Sequence, residues 1–284
     1  VALLATYLSI PPNCGVPKYN LSAKLNAPAP LDGKRLYLSI YPWPEHEYRI
    51  EKHPEPVGEV VRPGSTSMWG GVRFLTGYSP IRPAGIARSY DTGIHGEIDI
   101  DAATRLLESE SGTDGELAQL GVDGIIVASN FELRPLPSAE WDVVHSSAEG
   151  IVYHRAGAPL GPVRSVMVEA GKNYAAASLH VIGDSRQRVA TEVSVPDGGP
   201  PGFLVFSRPF FRGYRAVIAG NALPVTSFRG LAPAIELPAG TKGRLILVYR
   251  PTWLIVGAFV AGTSALLWLA GVLASVTSLR HRES

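Results

Sequence analysis

Residues 251–279, PTWLIVGAFVAGTSALLWLAGVLASVTSL, contain no charged side chain. Crossing the hydrocarbon core of a bilayer takes about 20 apolar helical residues, so this run can span with some tilt to spare. Trp253 stands near one end, where an amphipathic ring suits the membrane interface, and Arg280, His281 and Arg282 follow the other. Basic residues beside a span favour the cytoplasmic side. The tail 280–284 is therefore expected in the cytoplasm, and everything before Arg250 outside. A buried helix of a soluble domain is the competing reading, but Gly257, Gly262 and Gly271 among Ser and Thr suit a lipid-embedded helix better.

The remaining chain is long enough for one large domain or two modest ones. Its 30 Gly and 24 Pro predict many turns, and so strands rather than helices. A net charge of +1 offers no basic field for nucleic acid. Cys14 is the single cysteine, which excludes an intrachain disulfide framework and a cysteine-based zinc site. The seven histidines show no H-x-x-x-H spacing. No cofactor is expected. The opening VALLATYLSIPP is too short to span and lacks the basic start of a signal peptide. It reads as the end of an upstream membrane segment, with an ordinary apolar element of a soluble domain as the alternative.

Residues 11–33 read as a connector, and Lys34 to Ile40 alternates as a strand does. The following YPWPEHEYRIEKHPEP holds Glu45, His46, Glu47 and His53, but Pro42, Pro44, Pro54 and Pro56 break any common face. A solvated loop is the better reading than a metal site. Residues 64–90 combine glycines with Trp69, Phe74 and Tyr78 and with Arg73, Arg82 and Arg88. Aromatic rings can stack on sugars and Arg reads anionic oxygens, so Trp69, Tyr78, Arg82 and Arg88 are the candidate substrate-binding residues. Aromatics plugging a core edge are the plainer alternative. The Asp99-Ile-Asp101 pattern is explained by Asp101 capping the helix AATRLLESE. Thr113 to Glu116 has capping-box form, with Gly121 as the stop, and GIIVA at 124–128 reads as a buried strand. Two further strands are expected near Trp141–His145 and Gly150–His154.

From about Val163 the pattern changes. RVATEVSV at 188–195 puts Val189, Thr191, Val193 and Val195 on one face, and FLVFS, GYRAVIA and GRLILVY repeat the strand pattern. PDGGPPG, the Gly220-Asn221 pair and PAGTKG supply turns. The predicted fold class is α+β: a small α/β layer, then an antiparallel β-sandwich, then one C-terminal transmembrane helix. The expected division is 1–33 membrane-segment end and connector, 34–158 α/β subdomain, 159–250 sandwich, 251–279 span and 280–284 tail.

The stretch FLVFSRPFFRGYRAVIAGNALPVTSFRGLAPAIELPAGTKGRLILVYRP followed by a span resembles the end of YfhO-type bacterial membrane proteins. The shared features fall on Phe210-Phe211, Gly213, Tyr214, Gly220, Asn221, Pro238-Ala239-Gly240 and Tyr249, and upstream on WGGVRFLTGYSP and LGVDGIIVA. Tyr214 stands where Trp is usual and Ser79 where Asp is usual. The resemblance implies a polytopic protein related to GT-C-type glycosyltransferases that use lipid-linked sugars. It implies membrane lipid, a polyprenyl-phosphate-linked sugar and an envelope glycan acceptor as partners, with the acidic catalytic residue in an early outer loop beyond this chain. No catalytic or metal residue is therefore assigned here. The competing function is a membrane-anchored module that binds a glycan or a protein without chemistry of its own. A tethered hydrolase is disfavoured, because no G-x-S-x-G or metal-ligand set is present.

Overall fold

The computed structural model describes residues 29–41, 72–76, 83–93, 96–129, 139–148 and 150–282. The first sheet is built from β1 (Leu36–Ile40), β2 (Arg73–Phe74), β3 (Val122–Ala128), β4 (Trp141–Ser146) and β5 (Gly150–Arg155), in the order β2-β1-β3-β5-β4. β1 pairs in parallel with both β2 and β3, whereas β3-β5 and β5-β4 are antiparallel. Between β2 and β3 the chain forms α1 (Ala84–Ser89), α2 (Ile100–Ser109) and α3 (Glu116–Leu120).

Alternation in β1 explains the layering. Leu36, Leu38 and Ile40 pack with Ile86, Tyr90, Leu106, Leu117 and Leu120 of the helical side, while Tyr37 joins Ile126, Ala128 and Val152 on the other face. β3 has strand neighbours on both edges and cover on both faces, and all its residues are buried. That is why its stretch Gly124–Ala128 is a continuous apolar run rather than an alternating one, while Asp123, at its start, is satisfied by the Leu36 and Leu160 N–H groups.

Helix boundaries differ from the sequence reading in two places. Asp99, not Asp101, caps α2: its side chain accepts from the backbone N–H of Asp101 and Ala102. Asp101 lies inside the first turn, where its charge still suits the helix dipole. Thr113 does not close a capping box either. Instead Glu110 Oε2 accepts the Glu116 backbone N–H at 2.9 Å, while the N-cap position is Gly115 and contributes no side chain. Gly121 ends α3 in the left-handed conformation, and β3 begins at the next residue.

The second half is a two-sheet antiparallel sandwich. One sheet has the order β13 (Asn221–Leu223), β12 (Tyr214–Ile218), β16 (Lys242–Tyr249), β10 (Arg188–Ser194), β9 (Ser178–Asp184); the other is β14 (Thr226–Phe228), β15 (Ala232–Leu237), β11 (Gly202–Phe206), β6 (Val163–Ser165). Val189, Val193, Leu245 and Leu247 from the first meet Leu204, Phe206, Ile235 and Leu237 from the second. Thr191 is buried on the same strand and donates to the His180 carbonyl at 3.0 Å, so its hydroxyl is not orphaned. A short ribbon, β7 (Val168–Glu169) with β8 (Lys172–Asn173), projects beside it.

The sheet containing β11 is covered on both faces. Phe203, Val205, Phe228 and Ala234 belong to the same buried cluster as the helices of the α/β layer. Two ion pairs cross-tie the halves, Arg73 with Asp184 at 2.7 Å and Arg229 with Glu116 at 3.2 Å; within the sandwich the same groups also meet Arg208 at 2.5 Å and Glu169 at 3.1 Å.

The β12–β13 turn departs from the Gly220-Asn221 expectation. Asn221 already pairs with Ile218, so the two turn residues are Ala219 and Gly220, with φ of 48° and 85°. Positive φ at both central positions is the type I′ hairpin requirement. β16 leads through Arg250 and Pro251 into α4 (Thr252–Arg282), a 31-residue helix. Its stretch Thr252–Val272 is long and apolar enough to cross a membrane, and no part of that stretch is buried against the protein.

Candidate functional site

Two places concentrate the chemistry. The first is the carboxyl edge of the parallel strands β1, β2 and β3. In open α/β sheets, ligands bind outside the carboxyl ends of strands, where the chain order reverses about a central strand. Here the chain passes from β1 to β2 on one side and then to β3 on the other. α2 runs back along this sheet. Just past its end, the Ser111 carbonyl accepts from Trp141 Nε1 at 3.1 Å and Arg155 Nη2 at 2.9 Å, at the edge where β3 begins. Its start, with Asp99 and Glu97, therefore lies toward the carboxyl edge.

Among the candidate substrate-binding residues, Trp69, Tyr78 and Arg82 lie outside the described residues. Arg88 is exposed in the last turn of α1, with Nε donating to the Ala84 carbonyl at 3.1 Å. α1 itself is held against the sandwich: a methyl group on Gly85 would overlap the Gly230 carbonyl. Next to it, Tyr90 donates to Glu116 Oε1 at 3.1 Å, and Glu116 Oε2 accepts from Arg229. Burial, reinforced by the Glu116 carboxylate, pushes the Tyr90 phenol far above its ordinary pKa, so it serves as a fixed donor.

Sequence reasoning missed Glu97. It is fully buried, and neither carboxylate oxygen has a hydrogen-bond partner among the described residues. Its position beneath Gly93, close enough that a methyl group there would overlap Oε1, has no signal in the local sequence. Also missed was a polar pair on the opposite face of the sheet. Tyr37 Oη accepts from the Asp32 N–H at 2.8 Å and lies 2.7 Å from His154 Nε2, a hydrogen bond whose direction is set by the imidazole tautomer. Burial, with Arg35 nearby, holds His154 below the usual imidazole range, and burial pushes Tyr37 up to about 12. The pair is thus neutral on both sides. Arg164 is a third polar group held inside the fold, half-buried. It donates to the carbonyls of Gln119 and Gly161 and to Ser207 Oγ, and burial pushes it down to about 9. Its role is to staple the end of α3 to the sandwich. Among the described residues, no three His, Cys, Asp or Glu side chains stand together as a metal site.

The second place is the junction between sandwich and α4, where the motif residues Gly213, Tyr214 and Tyr249 meet. The Gly213 carbonyl accepts the Arg250 N–H at 2.9 Å. Gly213 has φ of 118°, and a Cβ there would come within 2.7 Å of Pro251. Only glycine permits this conformation and this approach. Tyr249 packs on Tyr214 with ring centroids 5.0 Å apart and on Phe211 at 6.2 Å. Arg215 donates to Thr252 Oγ1 at 3.0 Å, on the first residue of the helix. Gly240 sits at the far end of β16, with φ of 76°, in the turn closed by Thr241 N–H to the Pro238 carbonyl at 3.2 Å.

These features define a class: a β-rich chain with an α/β layer, joined through an aromatic clamp to one exposed apolar helix. No protein-family model matches the chain, and no curated protein does. Among solved structures, a cryo-EM structure of the arabinofuranosyltransferase AftD from Mycobacteria is similar over 43% of this chain, with 21% identity and a TM-score of 0.26. The match spans 9% of that protein's length.

Proposed function

We propose that this chain is the extracytoplasmic part and last span of a polytopic bacterial membrane protein. In this reading the whole protein acts like the lipid-linked-sugar glycosyltransferases it resembles, in building envelope glycan or glycolipid. The observation that carries the membrane half of the reading is the course of the chain from β16 into α4. An apolar helix with no protein cover over Thr252–Val272 needs a non-aqueous surrounding, because burial of apolar surface is what stabilises it. The glycosyltransferase half is supported by the motif resemblance set out above. Within this reading 34–158 and 159–250 are the two extracytoplasmic subdomains, 251–279 crosses the membrane, and the tail is cytoplasmic. Trp69, Tyr78, Arg82 and Arg88 contact the polyprenyl-phosphate-linked sugar or its acceptor.

Two measurements test it. In a Cys14→Ser background, a cysteine at Lys172→Cys is labelled by an impermeant reagent on intact cells, whereas one at Ser284→Cys is labelled only after lysis. The reverse pattern contradicts the orientation. Transfer of labelled sugar from a polyprenyl-phosphate donor by the intact protein should fall in Trp69→Ala and Arg82→Ala with the fold retained. Unchanged transfer in both removes that loop from the substrate contacts. Glycan binding without any transfer leaves the non-catalytic module.

A further inference from the structure

The end of the sandwich from which α4 leaves is crowded with arginine. The antiparallel register sets Arg188 and Arg215 opposite Val248, on either side of β16. The Tyr249 N–H donates to the Gln187 carbonyl at 2.9 Å and the Arg250 N–H to the Gly213 carbonyl at 2.9 Å. These bonds gather three segments at one end: the 185–188 turn, the start of β12 and the last residues before the helix. Arg186, Arg188, Arg212, Arg215 and Arg250 are all exposed there, and none of the five forms an ion pair among the described residues.

The local acid is already committed. Asp184 is held between Arg73 and Arg208, and Arg208 also donates to the carbonyls of Ser185 and Arg186. Arg208 therefore stiffens the turn that presents Arg186 and Arg188, and leaves their charge uncompensated. The opposite end of the sandwich differs. There the Gly240 turn faces Asp197, and Asp197 pairs with Lys242 at 3.3 Å. Charge is balanced at the far end and unbalanced at the helix end.

We propose that this arginine-rimmed end seats on the anionic phospholipid headgroups of the bilayer that α4 crosses; the proposal rests on the membrane reading above. Three features select a lipid surface as the occupant. The Arg215 hydrogen bond to Thr252 fixes the cationic rim at the level where the helix begins. Trp253, 68% exposed, and the Tyr214–Tyr249–Phe211 cluster place aromatic rings at the same level, where headgroups meet acyl chains. Guanidinium groups bind phosphate oxygens in a bidentate manner and hold their charge at any relevant pH. Each basic residue near an anionic bilayer strengthens association about fivefold, within roughly a Debye length.

The test uses the full chain reconstituted into phosphatidylcholine bilayers that contain brominated lipid, with Trp fluorescence quenching as the readout. At equal mole fraction, brominated phosphatidylglycerol should quench more strongly than brominated phosphatidylcholine, and added salt should remove the difference. The triple variant Arg212→Gln/Arg215→Gln/Arg250→Gln should lose at least about fivefold of the preference, and the matching Arg→Lys triple should keep most of it. Equal quenching by the two lipids in the unmodified chain, or a preference indifferent to salt, overturns the proposal even if the Gln variant does not fold. Loss of the preference on adding inorganic phosphate at matched ionic strength would point to a free-phosphate pocket and also overturn it. Absence of quenching by either lipid sinks the membrane reading itself, a result distinct from equal quenching.

Discussion

The Gly124–Ala128 run of β3 and the Thr252–Val272 stretch of α4 are both continuously apolar, and they meet opposite fates. Every residue of β3 is buried, with strands on both edges and side chains on both faces. α4 leaves the sandwich at Pro251, and Phe259, Leu266, Leu267 and Trp268 stand exposed along it. Apolar composition alone does not assign an environment; what covers the segment does. In β3 the cover is supplied by the described chain, whereas over Thr252–Val272 of α4 the described residues supply none. The lesson extends to the junction, where the folded part ends in a clamp of glycine and tyrosine and the helix begins without any.

That contrast can be broken most severely from the α4 side. Val260→Arg together with Leu266→Arg places two cations in the middle of the span, at a cost of roughly 6 kcal/mol on the insertion scale. The variant should leave the membrane fraction while its sandwich still melts cooperatively; retention in the membrane would contradict the role given to the helix. Gly213→Val should destabilise the junction by about 3 kcal/mol, from backbone strain and from the overlap with Pro251. Thermal melting of the reconstituted protein checks it, and an unchanged Tm refutes the clamp. Gly240→Val should cost less, about 2 kcal/mol. Its φ is equally unsuited to a β-branched residue, but the atom it would meet is Asp197 Oδ1, on a side chain with room to move.

The smallest effect sharpens the account of the α/β layer. His154 has a lowered pKa in the folded protein, so between that value and the ordinary one of about 6.5 the unfolded chain binds more protons. Stability should therefore fall as the pH drops below about 6.5 and level off once it passes the folded value. His154→Gln should flatten that limb of the Tm-against-pH curve, and an unchanged slope would place the titration elsewhere.

Much of the sandwich was legible because its signals are local. Alternation at 188–195 identifies the buried face of β10, and Pro238-Ala239-Gly240 marks a turn whose glycine does have positive φ. The strands β3, β4 and β5 fall where apolar runs and their spacing put them. Less legible were features set by distant partners. The parallel pairing of β1 with β2 and β3 joins segments far apart in the chain, and nothing in LYLSI announces its neighbours. Asp99 and Asp101 are equally good caps on paper, and tertiary placement of the helix start decides between them. Ala219 in a left-handed turn, and Glu97 under Gly93, follow from the packing around them rather than from their own residue types.

The candidate site divides in the same way. Gly213 and Tyr214 are adjacent while Tyr249 lies far along the chain, yet all three meet at the start of α4 because β12 and β16 pair in register there. The motif was readable, and its meeting point was not. Arg88 is described without its companions Trp69, Tyr78 and Arg82, so the substrate-contact proposal rests on their chemistry.

The most direct measurement is alkaline carbonate extraction of membranes from cells that express the full chain, followed by flotation. The account predicts that the chain stays with the floating bilayer through Thr252–Val272. Recovery as a monodisperse, detergent-free soluble protein, with those residues protected from solvent inside the fold, would contradict it.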